Sequence, residues 1–215
     1  MDLADSTTRR GALITLEGID GAGKSTQIAP LAAHLRARGH DVLTTREPGA
    51  TPLGRELRRV LLESDVVLEP RTELFLFLAD RVEHIRRVVA PALAAGTLVL
   101  CDRFGDSTIA YQGYGRAADV AAIRRWDEES RDGIVPDLTL LLDCPLAIAA
   151  PRRRHVSDRY QALDDAFHER VRAGFLALAA AEPARIRCVD ASAPIETVRA
   201  EIVAVVDPWL AGRPR

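Results

Sequence analysis

Gly18-Ile19-Asp20-Gly21-Ala22-Gly23-Lys24-Ser25 follows the apolar run Ala12 to Leu16 and opens a helical pattern. The spacing is that of a P-loop between a strand and a helix. Glycines at 18, 21 and 23 let the backbone turn its N–H groups inward around a phosphate, and the helix N-terminus adds partial positive charge there. Lys24 is placed to reach the outer phosphates. Ser25 offers a hydroxyl to a magnesium ion bridging them, and Thr26 extends the polar helix start. Lys24 is the only lysine, so all but one of the 29 basic residues are arginine. The chain uses guanidinium everywhere except where the loop calls for a compact, flexible ammonium.

Composition sets the frame around this loop. With 215 residues, 47% of them hydrophobic, the chain can bury a full core. It reads as a short polar tail, residues 1–10, followed by a single domain over 11–212. The tail lacks the apolar stretch of a secretion signal. A net charge of −2 gives no reason to expect nucleic acid or an anionic membrane as partner. Cys101, Cys144 and Cys188 lack metal-ligand spacing and read as small buried apolar residues in a reducing cytoplasm. The longest uncharged run, Val88 to Cys101, carries Pro91 and Gly96 and is too short to span a bilayer.

Strand-like and helix-like segments alternate along the chain. Strands are expected at Leu13 to Glu17, Val42 to Thr45, Leu98 to Cys101, Leu138 to Asp143 and Arg185 to Val189. Helices are expected at Lys24 to Arg38, Pro52 to Glu63, Arg71 to Ala95 with Pro91 kinking or breaking it, and near Ala117 to Arg131 after a turn-rich Gly113-Tyr114-Gly115. Further helices follow from an entry at Pro145, over Asp158 to Ala181, and over Ile195 to Leu210. This alternation specifies an α/β fold of the P-loop NTPase kind, a five-stranded parallel sheet with helices on both faces and a short lid at about 150–163. Such sheets bind ligands at the carboxyl ends of their strands.

Gly18 to Ser25, Arg46-Glu47, Asp102-Arg103 and Asp143 all follow strands, so the fold collects them at one rim. Asp102 or Asp143 can hold magnesium directly or through water, and Asp102 with Ser25 is the candidate metal pair. Lysine, magnesium and arginines are what phosphoryl transfer needs, because that chemistry rests on in-line positioning and charge stabilisation. The P-loop alone leaves switch GTPases, motor or regulatory ATPases and small-molecule kinases open. A guanine-reading Asn-Lys-x-Asp motif is impossible here, since the chain has no asparagine and no second lysine.

Thr45-Arg46-Glu47-Pro48-Gly49, Asp102-Arg103-Phe104, Ser107-Thr108-Ile109-Ala110-Tyr111-Gln112-Gly113 and Asp158-Arg159-Tyr160 stand in order behind the P-loop. With them the chain resembles the bacterial thymidylate kinases from about Leu13 to Leu210. The resemblance implies transfer of the γ-phosphoryl of ATP to thymidine 5'-monophosphate with magnesium, by a homodimer. It places Lys24, Ser25 and the backbone of Gly18, Gly21, Ala22 and Gly23 at ATP, and Asp20 at the acceptor deoxyribose or a magnesium-bound water. Arg58 and Arg103 resemble the pair gripping the acceptor phosphate. Phe77 and Arg81, four apart on one helix, resemble the residues that stack on the thymine and bond its edge. Thr108 and Gln112 resemble further base readers, and Tyr111 the ring that leaves no room for a 2'-hydroxyl. Glu47 is favoured as a site residue, whereas for Glu17 a site role and a pair with a neighbouring arginine are equally open.

The lid departs most from the family. Some members carry an arginine inside the P-loop, but here the variable positions are Ile19, Asp20, Gly21 and Ala22. The transition-state cation is therefore expected from Arg152, Arg153, Arg154 or Arg159, with Arg153 the chosen candidate. Gln161 and Leu163 replace the glutamates common after the Asp-Arg-aromatic motif, with Asp164 and Asp165 nearby. Ala50 and Phe104 are milder departures. Ordinary readings compete at several positions: Phe77 as core, Arg58 as solvated helix face, and Arg81 as a surface ion pair with Asp80 or Glu83. A kinase for another deoxynucleoside monophosphate and a regulatory ATPase are the rival functions.

Overall fold

The computed structural model describes residues 10–153, 160 and 163–213. Five parallel strands form its sheet, in the order β2-β3-β1-β4-β5. They are β1 Ala12–Glu17, β2 Val42–Arg46, β3 Leu98–Asp102, β4 Leu138–Asp143 and β5 Ile186–Asp190. Every residue of β1 is buried, and β3 and β4 are buried but for their last residues. Their largely apolar runs suit strands covered on both faces, and the one threonine in each of β1 and β4 pairs with the other, Thr15 with Thr139 at 2.8 Å.

The covering helices are α1 Lys24–Ala37, α2 Pro52–Arg58, α3 Pro70–His84, α4 Ala90–Ala94, α5 Gly105–Thr108, α6 Val120–Ser130, α7 Leu146–Arg153, α8 Asp165–Ala181 and α9 Ile195–Ala211. The largest core cluster joins Ile14, Leu16, Leu100 and Leu140 of the sheet to Leu31, Leu78, Phe175 and Ile202 of the helices. A second cluster gathers Leu13, Val99 and Phe104 with Ile85, Val89 and Leu93. Leu74 and Leu78 likewise turn into the core, while Phe75 and Val82 of the same helix are exposed.

Several expected boundaries shift for identifiable reasons. α2 continues as a wider π-helical turn over Arg59–Glu63, and α3 as one over Ile85–Val89 before α4 begins. That second turn absorbs Pro91, which sits in the first turn of α4, so the proline neither breaks the helix nor forces a loop. Gly113-Tyr114-Gly115 is not a turn. It closes a π-helical stretch, Ile109–Gly115, that continues α5, and the next helix starts at Val120 rather than near Ala117. Glycine serves close packing here, since a Cβ on Gly115 would lie 2.7 Å from the Phe167 ring.

α8 begins at Asp165 rather than Asp158. Asp164 is its N-cap and accepts a hydrogen bond from the Phe167 N–H at 2.7 Å. Leu163 packs against the core. Cys101 and Cys144 are buried as expected, but Cys188 is exposed. Of the expected tail, only Arg10 is described, and it is exposed. Among the described residues, no helix is long and apolar enough to cross a membrane.

Candidate active site

Topology places the site. The chain leaves β1 toward β2 on one side of the sheet and later adds β4 on the other, which makes the carboxyl edge of β1 a switch point. Leu16 is in register with Asp102 and Arg46 with Asp102, so three strand ends meet there. The loop after β1 and the Asp102-Arg103 pair thereby become neighbours across one cleft of about 690 Å³.

The loop takes the shape its glycines permit. Gly18, Gly21 and Gly23 have φ of 139, 85 and 95°, a region that costs a side-chain-bearing residue free energy. A Cβ on Gly18 would also collide with the Leu142 carbonyl. Gly23 caps α1 without any side-chain hydrogen bond to the helix, so the first N–H groups of α1 stay available to an anion. Lys24 donates to the carbonyls of Gly18 and Ile19 at 2.9 and 3.0 Å. Burial, aided by the nearby Arg103 charge, pulls the Lys24 ammonium down to a pKa of about 8 despite Asp102 and Asp20. The Ala22 side chain belongs to the core, so only its backbone faces the loop interior.

Ser25 Oγ donates to Asp102 Oδ2 at 2.9 Å. Asp102 Oδ1 is buried without a hydrogen-bond partner among the described residues. Two oxygen donors, one of them with spare acceptor capacity, are the ligands a hard cation such as magnesium takes. Asp143 is committed elsewhere, held by both Arg172 Nε at 2.7 Å and Arg172 Nη2 at 2.9 Å. That fork removes it from the two metal candidates.

Arg103 carries the loop's polarity across the cleft. Its backbone lies at φ 69°, the left-handed region, which costs a non-glycine residue about 1–2 kcal/mol. Backbone contacts hold it there: its N–H donates to Leu16 O at 3.1 Å, and the Cys101 thiol donates to its carbonyl at 3.0 Å. The guanidinium donates to Gly18 O, Ser107 Oγ, Asp20 Oδ1 and the Tyr111 hydroxyl at 3.1, 3.0, 2.6 and 3.2 Å. Tyr111 in turn donates to Asp20 Oδ2 at 2.9 Å. Burial alone would raise the Asp20 carboxyl, but Arg103 and Lys24 beside it prevail and lower it. Glu17 receives the N–H of Phe104 at 2.7 Å and the Ser107 hydroxyl at 2.6 Å. It thus fixes the start of α5, and burial, with the Asp106 charge, pushes its pKa up to about 8.

The far wall comes from α2, α3 and α5. Arg58 donates to Pro48 O at 3.0 Å. Its side chain lies so close to Gly49 that a Cβ there would sit 2.9 Å from Arg58 Cδ. Phe77 is half-buried at the cleft, with its ring 6.2 Å from that of Tyr160. Gln112 donates from Nε2 to the Tyr160 hydroxyl at 2.8 Å and to Glu73 at 3.3 Å. Arg81 is not a surface residue. It is 2% exposed and donates to Glu47, Asp127 and Thr108.

Sixteen of the sequence-derived site residues line this one cleft: Asp20, Gly21, Gly23, Lys24, Ser25, Thr26, Glu47, Arg58, Phe77, Arg81, Asp102, Arg103, Thr108, Tyr111, Gln112 and Arg152. Gly18 contributes its carbonyl from below. Arg152 donates to Ala191 O at 3.4 Å. Arg154 and Arg159 lie outside the described residues, as does the side chain of Arg153. Sequence reading missed Asp127, His84 and Ser107, which hold site residues without standing in a phosphate-binding motif. For Ser107 a signal existed, since it opens the Ser107-to-Gly113 motif that carries the resemblance.

A P-loop lysine facing a guanidinium-lined wall across one cleft defines a P-loop phosphotransferase. The family model described as thymidylate kinase matches residues 16–202. The thymidylate kinase of Desulfovibrio desulfuricans is 49% identical over 212 residues, covering 94% of this chain and 98% of that one. That of Deinococcus radiodurans is 49% identical over 199 residues, covering 92% and 97%. The crystal structure of thymidylate kinase from Ehrlichia chaffeensis superposes with a TM-score of 0.76 at 35% identity, covering 92% of this chain and 98% of that one. This chain belongs to the thymidylate kinase family.

Proposed function

We propose that this chain transfers the γ-phosphoryl of ATP to the 5'-phosphate of thymidine monophosphate, yielding ADP and thymidine diphosphate. The observation that carries this reading is Arg103. One guanidinium bonds the P-loop through Gly18 and Asp20 and the acceptor wall through Tyr111, so a single residue spans both halves of the cleft.

The P-loop N–H groups and Lys24 bind the donor phosphates. Arg103 and Arg58 neutralise the acceptor phosphate and aim one of its oxygens in line with the γ-phosphorus. The P–O bond to ADP then breaks as the new one forms, and the arginines screen the charge that two polyanions bring together. Ser25 and Asp102 would hold magnesium, which when bound screens the donor phosphates. Phe77, Arg81, Thr108 and Gln112 receive the base. Tyr111, its hydroxyl fixed by Asp20 and Arg103, gives a rigid floor under the sugar that favours a 2'-deoxy acceptor.

Self-association through α3 belongs to the same proposal. Phe75 and Val82 are exposed by 43% and 42%, and the Phe75 ring lies tilted against Trp126 with the centroids 5.4 Å apart. Sedimentation equilibrium should give twice the chain mass, with Val82→Glu shifting it to the monomer.

A coupled ADP-release assay tests the activity. Turnover should rise at least tenfold on adding thymidine monophosphate, and the uridine ribonucleotide should not replace it. ADP release indifferent to any acceptor would indicate a regulatory ATPase instead.

A further inference from the structure

Three elements and one aromatic ring converge on the guanidinium of Arg81. Glu47 at the end of β2 accepts from Nε at 2.9 Å, Thr108 of α5 from Nη2 at 2.9 Å, and Asp127 of α6 from Nη1 at 2.5 Å. The Phe104 ring lies 5.2 Å from the guanidinium carbon. Among the described residues, two of its five N–H groups remain uncommitted. Arg81 borders the cleft, whereas Asp127 is fully buried and does not.

The surroundings show that Asp127 has a reserved place. A Cβ on Gly105 would lie 2.9 Å from both of its carboxylate oxygens, so the glycine leaves room for it. Arg131 Nε lies 3.0 Å from Oδ2, while Arg81 bonds the other oxygen, Oδ1. On the other flank, His84 holds Glu47 at 2.8 Å and Thr45 at 2.7 Å, so the second carboxylate is anchored as well. Burial works against the charge on Arg81, but Glu47 and Asp127 outweigh it and push its pKa up.

We propose that Asp127 is a positioning residue for acceptor recognition: it acts through Arg81, fixing the guanidinium so that its remaining N–H groups meet an acceptor atom of the base. This rests on the reading of the cleft given above. A guanidinium held by three partners from three elements has lost its rotational freedom before the ligand arrives, which lowers the cost of binding. Asp127 itself touches neither nucleotide. A purely structural carboxylate would support the fold without favouring one substrate, so the two roles differ in what they change.

The test is a double-mutant cycle on the full-length protein with Asp127→Asn and Arg81→Ala, reading KM for thymidine monophosphate and for ATP and calorimetric binding of the monophosphate. Asp127→Asn should raise KM for the monophosphate about tenfold, a loss of about 1.4 kcal/mol, while KM for ATP shifts less than twofold. In the Arg81→Ala background the same change should add nothing. Asp127→Ser, which leaves space for water beside the guanidinium, takes the place of the amide in the cycle should that variant fail to fold. Equal shifts in both KM values, or undiminished effects without Arg81, would overturn the proposal. A wild-type protein that does not bind thymidine monophosphate would overturn the reading of the cleft and this proposal with it. Wild-type binding matched by Asp127→Asn would overturn this proposal alone.

Discussion

Lys24 is buried and donates to two carbonyls of its own loop, and its pKa falls to about 8 through burial and the Arg103 charge. Donor phosphates beside it favour the ammonium and raise that value again. The sign follows: below pH 8 the free protein already carries the proton, and above it ATP must bring one in. Titration calorimetry at pH 8.5 in buffers of different ionisation heat should detect proton uptake on ATP binding, and at pH 7 little or none. Lys24→Met should abolish the uptake and lower kcat by about a hundredfold or more. Equal proton counts at both pH values would contradict this account of Lys24. Asp102 makes a separate prediction. Its free oxygen suits a cation, so Asp102→Asn should raise the magnesium concentration for half-maximal activity several-fold. An unchanged magnesium curve would remove it from the metal site.

At the scale of the element, α5 and its π-helical continuation carry Thr108, Tyr111 and Gln112, and α8 holds that stretch in place. A Cβ on Gly174 of α8 would lie 2.7 Å from the Tyr114 ring. Gly174→Ala should therefore cost about 1–3 kcal/mol by overpacking, read as a lower urea midpoint. KM for the acceptor should rise more than KM for ATP, because the displaced element bears acceptor residues only. Unchanged stability would show that the helices have slack. The same element marks a limit of sequence reading. Gly113 and Gly115 look like turn residues because glycine is common in turns, yet in the helix they close Gly115 makes room for Phe167 and Val171, and Gly113 for Val120. Strands were more legible: the largely apolar runs of β1, β3 and β4 identify themselves within one or two residues. Arg81 was legible as a site residue only by resemblance. Its neighbours in sequence, Asp80 and Glu83, suggest a surface pair, whereas its carboxylate partners lie 34 and 46 residues away.

Across the whole molecule, the strand order β2-β3-β1-β4-β5 brings donor and acceptor residues to one rim. The alternation of strands and helices made that rim foreseeable, and the P-loop fixed its donor half. The acceptor half depends on α2, α3 and α5 folding over the strand ends, a placement that no local pattern specifies. Arg103 then ties the halves together, bonding Gly18 and Asp20 on one side and Tyr111 on the other. Direct transfer within one cleft is the central consequence, and ATP labelled at its γ-phosphorus tests it most directly. Incubated with magnesium and thymidine monophosphate, the protein should place the label in the β-phosphate of thymidine diphosphate, one ADP formed for each. Label released as inorganic phosphate, at a rate indifferent to the acceptor, would contradict the account.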